Sequence, residues 1–443
     1  MTGSVDWLAH EAGPLRGEVA VPGDKSVSHR AVMFGAIAEG TTRIRGFLPG
    51  EDTRATARIV RQLGATIDGT ADGELHIHGV GLHGLRGADA PLDCGNAGTA
   101  MRLLAGLLAG QAFASTLVGD ASLSGRPMRR VIEPLTRMGA CIESADGGMP
   151  PLRINISNGL QAIEYTAEMA SAQVKSAILL AGLYARGTTR VREPRPTRDY
   201  TETMLRAFGA SNRFAPGEAA IAGGATLRAV DVDVPADFSS AAFFVVAASV
   251  IPGSELVLRR VGVDPRRTGL LDVLRRMGAD IRLENAGRPA GFAVADLVVR
   301  AAPLRGIDVP AESVPDMIDE FPALFVAAAL AEGTTTVRGA AELRVKESDR
   351  IATMAAGLRA MGADFTETPD GAVIRGGRLH GAELESHGDH RVAMALAVAA
   401  QCATGPSRIR GCAIVETSFP GFADRAATAG FAIAPDRPAA ALG

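Results

Sequence analysis

A three-residue phrase recurs along this chain, and few folds can accommodate it. A bulky residue, a glycine and an alanine close a helical run at Leu63-Gly64-Ala65, Met138-Gly139-Ala140, Phe208-Gly209-Ala210, Met277-Gly278-Ala279 and Met361-Gly362-Ala363, with a looser copy at Ala429-Gly430-Phe431. The glycines are spaced 75, 70, 69, 84 and 68 residues apart. Glycine just past a helix stops it, and a strand-forming run follows, as in Ala140-Cys141-Ile142 and Ala279-Asp280-Ile281. The fronts repeat too: Val21-Pro22-Gly23-Asp24 resembles Val234-Pro235-Ala236-Asp237 and Val309-Pro310-Ala311-Glu312. A small-residue helix is predicted after each front, over Ala31 to Ala38, Thr99 to Ala109, Val174 to Leu183, Ser240 to Ala248, Pro322 to Ala331 and Arg391 to Ala400. A short β run such as Thr41 to Arg45 or Thr334 to Arg338 comes next. Each unit therefore reads strand, polar turn, buried helix, strand, amphipathic helix, strand. Six α/β units are too many for one core, so two lobes of three units are expected.

Composition narrows the function. Of 443 residues, 47% are hydrophobic and 21% charged, enough for large cores, while 4% aromatic content points to close packing of alanine- and glycine-rich helices. A net charge of −3 argues against a nucleic-acid or membrane surface, so any basic site must be local. Cys94, Cys141, Cys402 and Cys412 stand singly, which fits a reducing, cytoplasmic setting and no zinc site. The stretch from Met1 to Gly13 does not read as a secretory signal, and the apolar run near Ala241 to Ala248 is too short to span a bilayer.

The unusual polar residues fall just before the small-residue helices. Lys25, Ser26 and Arg30 are expected at a strand-to-helix junction after a strand over Gly17 to Val21, where backbone N–H groups and the helix dipole favour an anion. Asp24 between Gly23 and Lys25 rules out a Walker A loop. Other such turns are Asp93 to Arg102, Ser171-Ala172-Gln173-Val174-Lys175, Met317-Ile318-Asp319-Glu320 and Gly388-Asp389-His390-Arg391, and Ser124-Gly125-Arg126-Pro127 and Arg344 to Arg350 add cations. If Lys346, Glu347 and Arg350 are helical, they share a face. Each turn has a plainer reading: a solvated helix start for Lys346 to Arg350, an N-terminal helix charge for Asp319-Glu320. His387 and His390 lack a third ligand of suitable spacing, so no metal is expected. Taken together, Lys25, Arg30, Arg126, Lys346, Arg350 and Arg391 are too many cations for one anion, and two multiply charged ligands would need them.

Gly23-Asp24-Lys25-Ser26, Gly95-Asn96-Ala97-Gly98-Thr99, Arg344-Val345-Lys346-Glu347-Ser348-Asp349-Arg350 and Asp389-His390-Arg391 together resemble the enolpyruvyl-shikimate-phosphate synthase family, in order from about Gly17 to Phe422. The resemblance implies an α/β fold of two lobes, each of three repeated units around buried helices. It places the crossovers at Pro22-Gly23 and Pro235-Ala236, giving an N-terminal lobe of 23–235, a discontinuous C-terminal lobe of 1–22 plus 236–443, and an active site in the cleft between them. The first strand would belong to the C-terminal lobe. The family moves the enolpyruvyl group of phosphoenolpyruvate onto the 5-hydroxyl of shikimate-3-phosphate and releases phosphate. By resemblance, Lys25, Ser26, Arg30, Ser171, Ala172, Gln173, Arg198, Asp319 and Lys346 bind shikimate-3-phosphate. Lys25, Gly98, Arg126, Gln173, Arg350 and Arg391 would hold phosphoenolpyruvate. Asp319 is the implied base and Glu347 the implied acid, with Lys25 able to share either task. The implied protein is a cytoplasmic monomer that acts on small molecules and needs no metal or redox cofactor.

Two departures stand out. Ala172 replaces a second serine of some members, and Glu416-Thr417-Ser418-Phe419-Pro420 lacks the lysine that some carry before Phe-Pro. The related transferase that acts on a UDP-amino-sugar typically has a cysteine five residues before the loop arginine; here Ala121 stands there. A non-catalytic anion-binding module would not need Asp319 and Glu347 beside anionic ligands. Glyphosate resembles phosphoenolpyruvate in this family, and members tolerant of it often have alanine where this chain keeps Gly98. Ser171-Ala172-Gln173 and Met317 to Pro322 otherwise look closer to that tolerant branch. Sterics favour sensitivity, because a methyl group at Gly98 would act directly on the space the inhibitor needs.

Overall fold

The computed structural model describes residues 5–69 and 74–436. The ends of the expected C-terminal lobe, residues 1–4 and 437–443, lie outside the described residues. Two compact units are present. The N-terminal unit is Gly23–Pro235 with Arg288–Phe292, and the C-terminal unit is Met1–Pro22, Ala236–Gly287 and Ala293–Gly443. Chain order alone would leave residues 288–292 in the C-terminal lobe. They go with the other unit because the Phe292 ring packs edge-on against Tyr200 at 6.0 Å.

Six helices buried along nearly their whole length form the interiors: α1 (Lys25–Ile37), α2 (Gly98–Ala109) and α3 (Ala172–Gly182) in the N-terminal unit, and α4 (Phe238–Val250), α5 (Phe321–Leu330) and α6 (His390–Ala400) in the C-terminal unit. Beyond the polar residues near their starts, these helices are predominantly apolar on every side, as an enclosed helix requires. Each begins one to six residues earlier than the small-residue pattern suggests. In four of them, α1, α3, α4 and α6, the reason is side-chain capping. Asp24 accepts from the Val27 N–H, Ser171 from Val174, Asp237 from Ser239 and Ser240, and Asp389 from Arg391. The repeated Val-Pro-x-Asp front is thus a helix cap. The Val309 to Glu312 copy differs, because Glu312 lies in a 3-10 turn over Ala311–Ser313 and caps nothing.

The α/β repeat holds, with one addition: each unit ends in an antiparallel pair of strands rather than a single strand. Around α3, for example, Glu164–Thr166 runs parallel to Thr188–Arg192, which pairs antiparallel with Glu218–Ala222, which in turn pairs with Asn212–Ala215. The same order recurs with exchanged strands. Arg16–Val19, which precedes α1 in the chain, lies parallel to Glu255–Gly262 after α4. Val232–Asp233, which precedes α4, lies parallel to Glu39–Arg45 after α1. In the last unit Asp6–Ala9 sits between Ser407–Arg410 and Ile433–Asp436. The six repeat glycines, Gly64, Gly139, Gly209, Gly278, Gly362 and Gly430, all have φ between +91° and +105°, the left-handed conformation that ends a helix.

Small residues let the buried helices approach closely. A Cβ on Gly106 of α2 would stand 2.1 Å from the carbonyl oxygen of Ala177 in α3, inside the contact distance of rigid backbone. Gly106→Ala is therefore expected to lower stability by about 1–3 kcal/mol, despite the gain of roughly 1 kcal/mol in helix propensity. Gly377→Ala, where a Cβ meets nothing within 4 Å, serves as the control in the same urea titration. Equal midpoints for the two variants would contradict this packing.

Candidate active site

In the N-terminal unit the cap of α1 puts Lys25 and Ser26 in its first turn and Arg30 one turn on. The Lys25 Nζ donates to Asp52 at 2.8 Å. The Arg30 guanidinium is buried and donates to the Thr201 hydroxyl at 2.7 Å, the Ser176 hydroxyl at 2.9 Å and the Ser26 carbonyl at 2.9 Å. Burial, and after it the neighbouring charge of Arg198, pushes Arg30 down to about 10, so it remains cationic at neutral pH. Lys25, Ser26, Arg30 and Arg198 are therefore gathered around one end of α1. Neither Thr201, Ser176 nor Asp52 was marked by any sequence pattern: Thr201 and Asp52 read as ordinary first-turn helix residues and Ser176 as a polar residue inside a helix.

The starts of α2 and α3 are tied together. Gln173 donates to the Thr99 hydroxyl at 2.8 Å and accepts from Arg102 at 2.6 Å. Ser171 caps α3, and Ala172 opens it. Arg126 donates to Asn96 at 2.7 Å and to the Ser122 hydroxyl at 3.1 Å, while Asn96 donates to Asp120 at 2.8 Å. Gly98, the first residue of α2, is enclosed by these arginines: a Cβ there would lie 3.2 Å from Arg102 Nη1 and 3.4 Å from Arg126 Nη1. Arg102 closes the polar turn Asp93 to Arg102 but was given no role of its own, because it reads as one polar residue at the start of an apolar helix.

The C-terminal unit carries a second cluster. Arg350, 1% exposed, donates through Nε to Asp389 at 2.8 Å and through Nη2 to Glu347 at 2.7 Å, and its Nη1 lies 3.6 Å from Asp319. Arg267 bridges Asp319 at 3.2 Å and Asp237 at 3.4 Å. Arg391 donates to the Asp319 carbonyl at 3.1 Å and lies 3.8 Å from Glu320. Glu320 also accepts from the Ser239 hydroxyl. Burial, with Asp319 adding to it, raises the Glu320 carboxyl against the opposing pull of Arg267 and Arg391. Sequence reasoning passed over Arg267. The capping role of Asp237 in the repeated front was the available signal for a partner there.

The stretch from Lys346 to Arg350 is not one helical face. A 3-10 helix ends at Val345, Lys346 is extended, and the following helix starts only at Arg350 with Asp349 as its cap. The capping carboxylate moves the helix start, so Lys346 points to Glu342 at 2.7 Å instead of sharing a face with Glu347.

Asp389 is fully buried and gives a pH test. Burial alone would raise its carboxyl, but the charge of Arg350 outweighs that and holds it below the ordinary 3.8. The stability linked to this depression is fully present above the ordinary carboxylate value and is lost as pH falls through the lower folded one. Asp389→Asn should cost about 3 kcal/mol at neutral pH. It should also show a shallower loss of stability than the wild type between about pH 4 and pH 2. Denaturant titrations across that range check it; parallel slopes and equal neutral stability would contradict it.

Comparison with known proteins converges on one family. The family model described as EPSP synthase (3-phosphoshikimate 1-carboxyvinyltransferase) matches residues 10–426. A 3-phosphoshikimate 1-carboxyvinyltransferase of Xanthomonas campestris pv. campestris (strain B100) is 61% identical over 427 residues, covering 96% of this chain and 98% of the relative. One from Xanthomonas axonopodis pv. citri (strain 306) is also 61% identical, covering 96% and 97%. A solved EPSP synthase from Acinetobacter baumannii superposes with a TM-score of 0.89 at 49% identity, over 98% of this chain and 100% of its own.

Proposed function

The chain belongs to the EPSP synthase family, the 3-phosphoshikimate 1-carboxyvinyltransferases, and from that premise we propose how its residues carry the reaction. The enolpyruvyl group of phosphoenolpyruvate passes to the 5-hydroxyl of shikimate-3-phosphate and phosphate leaves, a step of aromatic amino acid biosynthesis. Lys25, Ser26, Arg30, Ser171, Ala172, Gln173 and Arg198 take shikimate-3-phosphate from the N-terminal unit, with Asp319 and Lys346 from the C-terminal unit. Lys25, Gly98, Arg126, Gln173, Arg350 and Arg391 take phosphoenolpyruvate. The two units would thus act as lobes closing on one pair of ligands. No helix among the described residues is long and apolar enough to cross a membrane. It is the family resemblance, and not that fact, that points to a cytoplasmic monomer working on small molecules.

The observation that carries the reading is the setting of Asp319, whose carboxylate is held by Arg267 and Arg350 while Arg391 holds its backbone. A carboxylate oriented from two sides is suited to take the hydroxyl proton as that oxygen attacks C2 of phosphoenolpyruvate. The C3 methylene gains a proton in the same addition. Its loss again, with the C–O bond to phosphate breaking, restores the double bond. Glu347, bound to the same Arg350, is the proposed acid for that carbon, and Lys25, on the other unit, a further proposed proton carrier. Arg126, Arg350 and Arg391 would neutralise the carboxylate and the departing phosphate.

Asp319→Ala is expected to leave shikimate-3-phosphate binding measurable by calorimetry while phosphate release falls by about a hundredfold or more. Near-normal turnover would remove Asp319 from the chemistry. The same phosphate assay on the wild type, run with a UDP-amino-sugar acceptor in parallel, separates this reading from the related transferase: release with shikimate-3-phosphate alone is expected.

Gly98 supports a second test. Its surroundings leave a methyl group pressing on the ends of Arg102 and Arg126, beside the space assigned to phosphoenolpyruvate. Glyphosate should compete with phosphoenolpyruvate on the wild type, and Gly98→Ala should weaken the inhibitor more than the substrate. Titration of both proteins at matched saturation checks this. An insensitive wild type, or equal loss of both ligands, would show that Gly98 does not set the pocket length.

A further inference from the structure

Beneath the Arg30 site lies an ion triad that the reaction does not use. The Lys175 ammonium stands 2.8 Å from Glu193 and 2.9 Å from Glu202, with side-chain exposures of 5%, 1% and 2%. Lys175 and Glu202 adjoin Ser176 and Thr201 in the chain, the two hydroxyls that accept from Arg30 and lie 2.7 Å from each other. Glu193 begins the loop of residues 193–199 between the strand Thr188–Arg192 and the helix Tyr200–Ala207. That loop has no regular structure and carries Arg198. The Glu193 carboxylate also accepts from the Thr197 hydroxyl at 2.6 Å, and the Lys175 ammonium lies 3.5 Å from the Thr197 carbonyl. Both ends of the loop thus meet at one buried ammonium, one residue from Arg198.

We propose that Lys175, through Glu193 and Thr197, is the positioning residue that fixes Arg198 for the phosphate of the phosphorylated substrate. This rests on the assignment of Arg198 to that substrate made above. Desolvating three charges is costly, and an apolar trio of the same volume would serve packing alone as well or better. A charged triad does something packing does not: it pins polar backbone at a defined place. It also balances charge. Lys175 with two carboxylates leaves one negative charge beside Arg30, and Glu202 acts on Arg30 as a favourable neighbour. Burial works against the Lys175 charge, but the two glutamates outweigh it and keep the ammonium protonated. An uncharged side chain at Lys175 would release the loop, and Arg198 with it, while leaving Arg30 and its hydroxyls in place.

The test is a double-mutant cycle read by calorimetric titration of shikimate-3-phosphate alone into the wild type, Lys175→Met, Arg198→Ala and the double variant. Each single change is expected to weaken binding by about tenfold or more, and the double change by no more than about threefold beyond Arg198→Ala. Lys175→Arg should recover most of the affinity. At saturating shikimate-3-phosphate the KM for phosphoenolpyruvate should move by less than about threefold. Additive losses, or unchanged affinity in Lys175→Met, overturn the proposal while leaving the assignment of Arg198 standing. Unchanged affinity in Arg198→Ala overturns that assignment, and the proposal with it. Should Lys175→Met fail to fold, Glu193→Gln, which alters only the loop end of the clamp, takes its place in the cycle with the same expectations.

Discussion

An arginine removed from water must be surrounded by acceptors, and both units are built around doing this. In the C-terminal unit Arg350 is 1% exposed and is met by Asp389, Glu347 and Asp319. Burial opposes its charge, and Asp389, with Glu347 and Asp319, more than restores it. In the N-terminal unit Arg30 is met by two hydroxyls and a carbonyl, with no carboxylate directly bonded among those contacts. Burial, and after it Arg198, therefore pushes its pKa down and not up, though it stays cationic at neutral pH. The two sites therefore differ in kind. One is a balanced ion network able to orient a carboxylate for proton transfer. The other is a cation hydrogen-bonded by neutral groups, with carboxylates acting on it only from beyond those contacts, and so left with hydrogen-bonding capacity for an anion.

The fold supplies both from one device. An acidic or hydroxyl cap starts a buried helix, and the first turn of that helix carries the functional side chains. Asp24 starts the helix of Lys25 and Arg30, Ser171 that of Gln173, and Asp389 that of Arg391. Asp389 does two jobs at once, capping a helix and pairing Arg350. Because the interior helices are buried on all sides and α2 and α3 approach to glycine distance, their first turns have little room to move.

The repeat was legible because it is local. Glycine in the left-handed conformation at a helix end leaves a mark in three consecutive residues, and all six marks fell on such ends. The six helices were legible for the same reason, though their starts were placed late, since a small-residue pattern does not see the cap. The insertion of Asp6–Ala9 between Ser407–Arg410 and Ile433–Asp436 was not legible, because strand pairing across hundreds of residues leaves no local trace; the additional antiparallel strands are local hairpins, such as Asn212–Ala215 with Glu218–Ala222, that a one-strand reading of each unit's end passed over. At the sites, the turns that carry the family resemblance were found, and the side chains that act as partners to them were given no role. Arg267, Arg102, Thr201 and the Lys175 triad look like ordinary helix or loop residues until the chain folds. The helical face drawn through Lys346, Glu347 and Arg350 failed because spacing alone assumed a helix that Asp349 starts only at Arg350.

If shikimate-3-phosphate is gripped by Lys25, Arg30 and Arg198 from one unit and by Asp319 and Lys346 from the other, the ligand must draw the two together. An unoccupied array of cations repels itself, and a dianion removes that repulsion. Small-angle X-ray scattering of the wild type, alone and with saturating shikimate-3-phosphate, tests this directly. A smaller radius of gyration with the ligand is expected. Superimposable curves, under conditions where calorimetry shows the ligand bound, would contradict a site shared by the two units.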